Sequence, residues 1–374
     1  MIGLVVVVPL VQALFFARSV SSWTTLPTCA TSSRTGSSTR LFNEIPSLYQ
    51  EQEKLLVSRG EFEGKLMGNS HSPIEANVVK GVGSGGGFGS KKGGSKSQMK
   101  EQGKAHAKVL KEQGVVRIDD VLPPDLADEM KQFLFDLRKD SEEKVKSGEL
   151  QSLERFADVL LKTNRCDLTL PVPGPKVVAD FLSAALQTSP VGATMAALLG
   201  QEAILYELSC IMSDPGSQRQ VMHPDTPYNK NDEPVLYTCF IALQDVELNM
   251  GPTTWMPGTH TLASHGLFQD EDARSGESPK DKLLRTGPSV LGLLPKGSCG
   301  IFDSRLLHCG GANTSENCRA ILYFTFRNPK AGYVGNPGSI RPDLISKFTL
   351  SSLDKELKNY AKGKASAIFA KESS

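Results

Sequence analysis

The residues whose types and spacing could do chemistry are His223, Asp225 and His308. Side chains alternate faces in extended chain, so His223 and Asp225, on either side of Pro224, point the same way and can share one cation. His308 would add a third ligand. Two imidazoles and one carboxylate on one face are the donor set of non-haem Fe(II) oxygenase centres. A lone His-x-Asp is common by chance, and a different divalent metal in a cupin-type hydrolase or isomerase could use similar donors. Arg319 follows His308 after the turn Gly310-Gly311-Ala312-Asn313. If His308 and Arg319 lie on adjacent antiparallel strands, the guanidinium stands beside the metal position, where its planar fork suits a carboxylate in a dry pocket.

These residues need a scaffold, and the chain before them reads as helical. Lys100 to Gln113 is a polar helix, and Val115 to Ile118 is a short strand. Pro123 and Pro124, followed by Asp125, start a second helix, along which Leu126, Met130, Phe133, Leu134 and Leu137 recur at helical spacing. Further helices are expected at Leu150 to Lys162, Pro175 to Leu186 and Val191 to Leu199. After Gly200 short β-rich runs alternate with Gly and Pro turns: Ala203 to Met212, Val235 to Leu243, Thr253 to Met256, Gly300 to Phe302 and Arg319 to Phe326. Several strands after a helical half predict a mainly β fold, a sandwich or barrel backed by helices. Ser264 to Gly287 interrupts the series as a charged surface insertion that could act as a lid. Leu350 to Lys362 reads as a polar terminal helix.

A family resemblance rests on Gly114 to Leu122, on His223-Pro224-Asp225 and on Ala242 to Val246. It continues through Gly251-Pro252, Pro257-Gly258-Thr259-His260 and Arg305-Leu306-Leu307-His308 to Arg319. In this order, over roughly residues 100 to 330, they resemble the phytanoyl-CoA dioxygenase family. The resemblance implies a double-stranded β-helix, a cupin-like jelly roll, in a catalytic domain spanning 98–335 with a C-terminal extension at 336–374. It also implies an Fe(II)- and 2-oxoglutarate-dependent dioxygenase that uses O2, releases succinate and CO2, and is supported by ascorbate. His223, Asp225 and His308 become the iron ligands, and Arg319 the partner of the distal carboxylate of 2-oxoglutarate. Phe240 stands where many members have a tryptophan beside the co-substrate. Some relatives have a hydroxyl two residues after the arginine, where this chain has Ile321, so Thr238 or Tyr323 is a candidate replacement. Related halogenases have Gly or Ala at the carboxylate position, so Asp225 favours hydroxylation. The substrate class implied is a small organic molecule: an acyl thioester, a lipid or a natural-product-like compound. A catalytically silent domain of the same fold, binding a ligand or partner, is the alternative.

Other residues take plainer readings. His260 and His265 are expected to be hydrogen-bonding or surface histidines, and Trp255 core or pocket wall. Cys309 reads as a small buried residue. Arg165 and Asp167 could face the pocket mouth and select substrate, or could form a surface ion pair. Arg219 and Gln220, just before His223, could support the ligands from behind.

Composition bounds the rest. A net charge of +1 gives no global field that favours nucleic acid. The seven cysteines form no C-x-x-C pair, and a domain of this size needs no disulfide staples, so they are expected to be reduced and mostly buried. Residues 1–22 resemble a signal segment, and residues 23–43, rich in Ser, Thr and Arg, a transit peptide. Together they resemble the bipartite leader of plastid proteins in algae with a secondary plastid. An ordinary secretory signal followed by a disordered stretch is the other reading. Pro9 and Gln12 interrupt the apolar run, which argues against a stable membrane span in the mature chain. Residues 44–97 carry one plausible helix, Leu48 to Arg59, and a Gly-rich flexible linker; the formal G-x-G-x-x-G of Gly81, Gly83 and Gly86 lacks the strand and helix a dinucleotide site needs.

Overall fold

The computed structural model describes residues 95–157, 164–228, 233–274, 276–331, 344 and 347–370. The expectations for the two leader segments, for Leu48 to Arg59, for the Gly-rich linker and for Cys29, one of the seven cysteines, lie outside these residues.

The first helix, α1 (Lys96–Gln113), starts at Ser95, whose hydroxyl accepts from the Gln98 amide, and stops at Gly114 in the left-handed conformation. Strand β1 (Val115–Ile118) follows directly. Helix α2 (Pro124–Ser147) begins with proline at its first turn and buries Ala127, Met130 and Leu134 along one face. Of the helix expected at Leu150 to Lys162, one turn, α3 (Ser152–Arg155), forms among the described residues. Phe156 leaves it to bridge Leu168 of a strand the sequence reading did not anticipate, β2 (Arg165–Thr169). Two apolar helices come next, α4 (Lys176–Ser183), extended by a π-turn over Ala184–Thr188, and α5 (Val191–Leu199). Gly103 lets α1 lie against α5: a Cβ there would sit 2.6 Å from the Ala193 carbonyl carbon.

The β half contains β3 (Ile204–Ser213), β4 (Leu236–Ala242), β5 (Thr253–Trp255), β6 (Val290–Leu291), β7 (Cys299–Asp303), β8 (His308–Gly310) and β9 (Arg319–Arg327). All pairings are antiparallel, in a six-stranded sheet ordered β1-β7-β4-β9-β3-β2 and a three-stranded sheet ordered β6-β5-β8. The segment around His223 bridges β8 and so extends the smaller sheet. From β3 onward the chain alternates between sheets: β3 large, the His223 segment small, β4 large, β5 and β6 small, β7 large, β8 small, β9 large. This alternation is the double-stranded β-helix, built on an antiparallel jelly roll.

Each strand of the large sheet separates two environments. Leu208, Cys210, Met212, Cys239, Ile241, Leu322, Phe324 and Phe326 point outward and share one apolar core with α2, α4, α5 and the C-terminal helix α8 (Leu350–Tyr360). Alternate residues point into the barrel, where Phe240, Phe302, Ile321, Tyr323 and Trp255 form a second cluster. Gly300 makes room for the Trp255 ring, which a Cβ would approach to 2.8 Å. Trp255 is thus a core residue, one of the two readings expected of it. The insertion expected at 264–287 folds as two short helices, α6 (Leu262–Gln269) and α7 (Pro279–Thr286), packed on each other. His265 anchors them, with Nε2 2.7 Å from the Arg305 carbonyl. Among the described residues no single helix is long and apolar enough to cross a membrane.

Candidate metal centre

Two backbone hydrogen bonds fix the first ligand pair: His223 N–H donates to His308 O (3.0 Å), and His308 N–H donates to His223 O (2.9 Å). This exchange is a closed antiparallel bridge, and it sets the two imidazoles side by side, 4.7 Å between ring centroids. Asp225 is held in turn, its amide donating to the Ser304 carbonyl at 2.8 Å, while the Thr226 and Ser304 hydroxyls lie 2.7 Å apart. Below them the buried Arg305–Asp303 ion pair, at 2.7 Å, stiffens the turn that leads into β8.

Both histidines lock one ring nitrogen on a backbone carbonyl two residues upstream. His223 Nδ1 is 2.7 Å from Val221 O, and His308 Nδ1 is 2.8 Å from Leu306 O. A carbonyl can only accept, so each Nδ1 carries the proton and each Nε2 keeps its lone pair for a cation. The Nε2 atoms converge on Asp225: Oδ1 lies 3.8 Å from His223 Nε2 and 3.5 Å from His308 Nε2. All three donor atoms fall within 4.8 Å of one another, as ligands around one ion must. The His308 side chain is 6% exposed, but those of His223 and Asp225 are 36% and 37% exposed, so the centre is closed behind and open in front.

Residues upstream brace this arrangement. Gln220 Oε1 accepts from the Gly310 amide at 2.8 Å, and the Gln220 backbone N–H donates to Gly310 O. Arg219 Nη2 reaches Cys309 Sγ at 3.5 Å. Both contacts pin β8, so the pair expected to support the ligands does so through the strand that carries His308. Cys309 is buried and unpaired, as are Cys210, Cys239 and Cys299; Cys166 and Cys318 are partly buried free thiols.

Arg319 reaches the barrel interior by a different route from the one expected. β8 and β9 do not pair; β8 joins β5 in the small sheet, and β9 runs between β3 and β4 in the large one. The turn after Gly310 carries the chain across the barrel, so Arg319 faces the centre from the opposite sheet. It is 2% exposed. Its Nη2 donates to Ser213 Oγ (3.1 Å), its Nη1 reaches Met250 O (3.4 Å), and its Nε has no partner among the described residues. Arg165 lies in the same cross-strand row, donating from Nε to Ser213 Oγ (2.9 Å) and from Nη2 to Gly311 O (3.0 Å), and its Nη1 is also without a partner. Burial pushes Arg165 down to about 10; burial and then the Arg165 charge push Arg319 down to about 9. Neither has a carboxylate facing it among the described residues. A buried and a half-buried guanidinium group around one hydroxyl, with unused donors, are a socket for an anion.

The register also relocates the secondary candidates. Thr238 pairs with Thr325, and their hydroxyls lie 3.2 Å apart. Six residues along a strand is about 20 Å, so Thr238 is at the other end of β9 from Arg319 and cannot share its carboxylate. Tyr323 is committed elsewhere: its hydroxyl donates to Asp167 Oδ2 at 2.7 Å. The hydroxyl beside Arg319 is Ser213, directly opposite it on β3, which the sequence reading missed. Phe240 does face the interior, packed against Tyr323, Phe302 and Trp255, and Phe302 touches the His308 ring at 4.8 Å. Arg165 and Asp167 are not a surface ion pair. Asp167 is 3% exposed and bonds Tyr323, while Arg165 turns to Ser213. His260 is a hydrogen-bonding residue, with Nε2 3.1 Å from Lys111 O.

The model of the phytanoyl-CoA dioxygenase (PhyH) family matches residues 110–321, more than half of the chain. No curated protein matches. Among solved structures, the chain is similar to the non-heme α-ketoglutarate-dependent carbocyclase SnoK from nogalamycin biosynthesis, at 20% identity and a TM-score of 0.42, covering 60% of this chain and 83% of that one. It is also similar to AviO1 from Streptomyces viridochromogenes Tue57, at 18% identity and a TM-score of 0.43 over 61% and 96% of the two chains. HygX from Streptomyces hygroscopicus, solved with nickel and 2-oxoglutarate bound, aligns at 12% identity and a TM-score of 0.41 over 60% and 87%.

Proposed function

The chain belongs to the phytanoyl-CoA dioxygenase family, and from that premise we propose that it is an Fe(II)- and 2-oxoglutarate-dependent dioxygenase that hydroxylates a small organic substrate. The observation that carries this reading is the coincidence of two incomplete sites in one barrel. Three donor atoms converge within 4.8 Å of one another, and across the interior a buried arginine has an unused donor and no facing carboxylate among the described residues.

The residues present fit the groups the reaction requires. His223, Asp225 and His308 would hold iron through two neutral imidazole nitrogens and one carboxylate, leaving positions for co-substrate and dioxygen. Arg319, with the Ser213 hydroxyl, would bind the distal carboxylate of 2-oxoglutarate, and Arg165 would add positive charge through the shared serine. When bound, iron and 2-oxoglutarate supply the oxidising power, O2 being consumed as 2-oxoglutarate goes to succinate and CO2 and the substrate gains a hydroxyl. The protein's part is to place and to exclude. Phe240, Phe302, Tyr323 and Trp255 line the interior with apolar surface that keeps bulk water from the reacting atoms. Asp225 occupies the third ligand position and leaves no vacancy there for a halide, which favours hydroxylation.

Anaerobic addition of Fe(II) and then 2-oxoglutarate to the full-length chain is expected to give a broad visible charge-transfer band. Under air the protein should release succinate. Asp225→Ala is expected to lose the band and to lower succinate release about a hundredfold or more, on the scale of removing one essential catalytic group. Undiminished succinate release in that variant would remove His223, Asp225 and His308 from the reaction.

A further inference from the structure

One hydrogen-bond donor in the barrel is left unused by the packing around it. Trp255 is fully buried in the interior cluster with Phe240, Phe302 and Tyr323, and its Nε1 has no partner among the described residues. A buried indole N–H ordinarily finds an acceptor, and leaving one unmet costs stability. Its neighbours Phe240 and Phe302 offer it only ring carbon.

Where that N–H points follows from how the ring is held. Trp255 lies on β5, between β6 and β8 in the small sheet, and faces inward. Two glycines make room for the benzene end of the indole. A Cβ on Gly292 would lie 2.6 Å from Cζ3 and 2.9 Å from Cη2, and one on Gly300 would lie 2.8 Å from Cη2 and 3.2 Å from Cζ2. Gly292 follows β6 and donates its amide to Thr253 O, so the benzene end leans to the β6 side. The pyrrole end of the same plane therefore leans to the β8 side, where His308 stands directly opposite Trp255. Nε1 shares with Cζ2 the ring edge remote from Cβ, and Cζ2 meets Gly300 of the large sheet, so that edge faces across the barrel. The N–H is thus a buried donor aimed at the interior beside a metal ligand.

An indole N–H donates and never accepts, so what completes it is an acceptor. Of the groups that the proposed reaction brings into the interior, the co-substrate presents the charged oxygens. Gly300, against the indole, shares a cross-strand row with Phe240 and Tyr323, and Arg319 lies four residues from Tyr323 along β9, about 13 Å. One dicarboxylate can meet both donors only with its opposite ends. We propose that Trp255 Nε1–H binds the carboxylate of 2-oxoglutarate at its metal-bound end, while Arg319 takes the distal one. This rests on the oxygenase reading and deepens it. A donor fixed in an apolar wall selects the orientation in which the keto acid meets the metal, and it needs no rearrangement to do so.

The test is nuclear magnetic resonance of the full-length chain, isotope-labelled at the tryptophan indole nitrogens and loaded with Zn(II), a redox-inert ion that cannot start turnover. The sequence has two tryptophans, and Trp23→Phe leaves the Trp255 signal alone. Adding 2-oxoglutarate is expected to move the Trp255 indole proton downfield, as a new hydrogen bond to a carboxylate does. Trp255→Phe keeps an aromatic ring and removes the donor, so 2-oxoglutarate should bind about tenfold more weakly, the scale of one charge-assisted hydrogen bond. That affinity is read by anaerobic titration of the Fe(II) charge-transfer band, and Fe(II) affinity should not change. The inference is overturned if, in protein that binds 2-oxoglutarate, the indole signal stays in place or moves upfield, the sign of an N–H resting on an aromatic ring. Wild-type affinity for 2-oxoglutarate in Trp255→Phe overturns it as well. Should Trp255→Phe not fold, the indole signal decides alone. An intact charge-transfer band with an unmoved indole overturns this inference alone; a chain that binds no 2-oxoglutarate overturns the oxygenase reading and this inference together.

Discussion

Strand β9 carries two sequences interleaved. Ala320, Leu322, Phe324 and Phe326 point outward and are fully buried against helices, every one of them apolar. Arg319, Ile321, Tyr323 and Thr325 point inward and are as deeply buried, yet three of the four are polar, and two of these three sit beside groups with an unmet hydrogen bond. Burial is the same on the two faces, so the difference is one of purpose. The outer face is satisfied as it stands and holds the fold together. The inner face is left short of partners, which costs stability and is intelligible only if ligands complete it.

Breaking the outer face should give the largest effect. Phe324 is fully buried, with edge contacts to Phe181 on α4 (6.1 Å) and to Phe326 (5.8 Å). Phe324→Ala is expected to cost about 3–5 kcal/mol of stability, read as a lower urea midpoint. The protein that remains folded should still show the Fe(II) and 2-oxoglutarate band. Breaking the inner face should do the reverse. Arg319→Met removes an uncompensated buried cation, so the ligand-free protein should be no less stable than wild type. The loss should appear only with co-substrate. At a hundredfold excess over its dissociation constant, 2-oxoglutarate should stabilise wild type by about 2.7 kcal/mol, and the variant at the same concentration scarcely at all. Equal stabilisation of both would move the co-substrate away from Arg319.

The same contrast explains what could be read in the sequence. The strands around Val116, Cys239, Ile301 and Phe324 are legible because their outward residues make apolar runs bounded by Gly and Pro. His223, Asp225 and Arg319 stand out because such residue types are rare in runs of that kind. β2 was not legible: its inward residues, Arg165 and Asp167, are charged, so a strand of a buried sheet has the composition of a surface loop. Ser213 was invisible for a different reason. It meets Arg319 through a register between β3 and β9 that joins residues 106 apart, and no local pattern encodes that distance. The adjacency of β8 and β9 was wrong because a short turn between two β segments reads as a hairpin, whereas a jelly roll uses it to change sheets. Helix α3 ends early because Phe156 finds a partner in Leu168, a tertiary contact that overrides helical spacing.

Asp167 offers a finer division of the inner face, through pH. Its carboxyl titrates at about 7 in the folded chain and near its ordinary value when unfolded. Between these values the folded protein holds a proton that the unfolded chain has released, so stability falls as pH rises through this window and the loss is complete above about pH 7. Asp167→Asn cannot release that proton. Measured without ligands, the variant should gain on wild type by about 1–3 kcal/mol at pH 8 relative to pH 4.5. A pH-independent difference would mean that Asp167 is compensated in the folded protein by a charge beyond the described residues.

The smallest effect separates holding a metal from holding the fold. Gln220 touches no ligand atom, but its side chain accepts from Gly310 two residues beyond His308, and Arg319 approaches the same glycine closely enough that a Cβ there would lie 3.4 Å from Nη2. Gln220 thus bears on β8 where the two incomplete sites are nearest in sequence. Gln220→Ala leaves one strand amide without its acceptor, worth about 1 kcal/mol of global stability. If β8 is what sets the direction of the His308 Nε2 lone pair, Fe(II) affinity should fall about tenfold, the lower end of what supporting hydrogen bonds contribute to metal sites. The two quantities are separable, by urea unfolding and by anaerobic Fe(II) titration. A stability loss with unchanged Fe(II) affinity would assign Gln220 to the satisfied, fold-holding part of the molecule and draw the boundary of the centre at its three ligands.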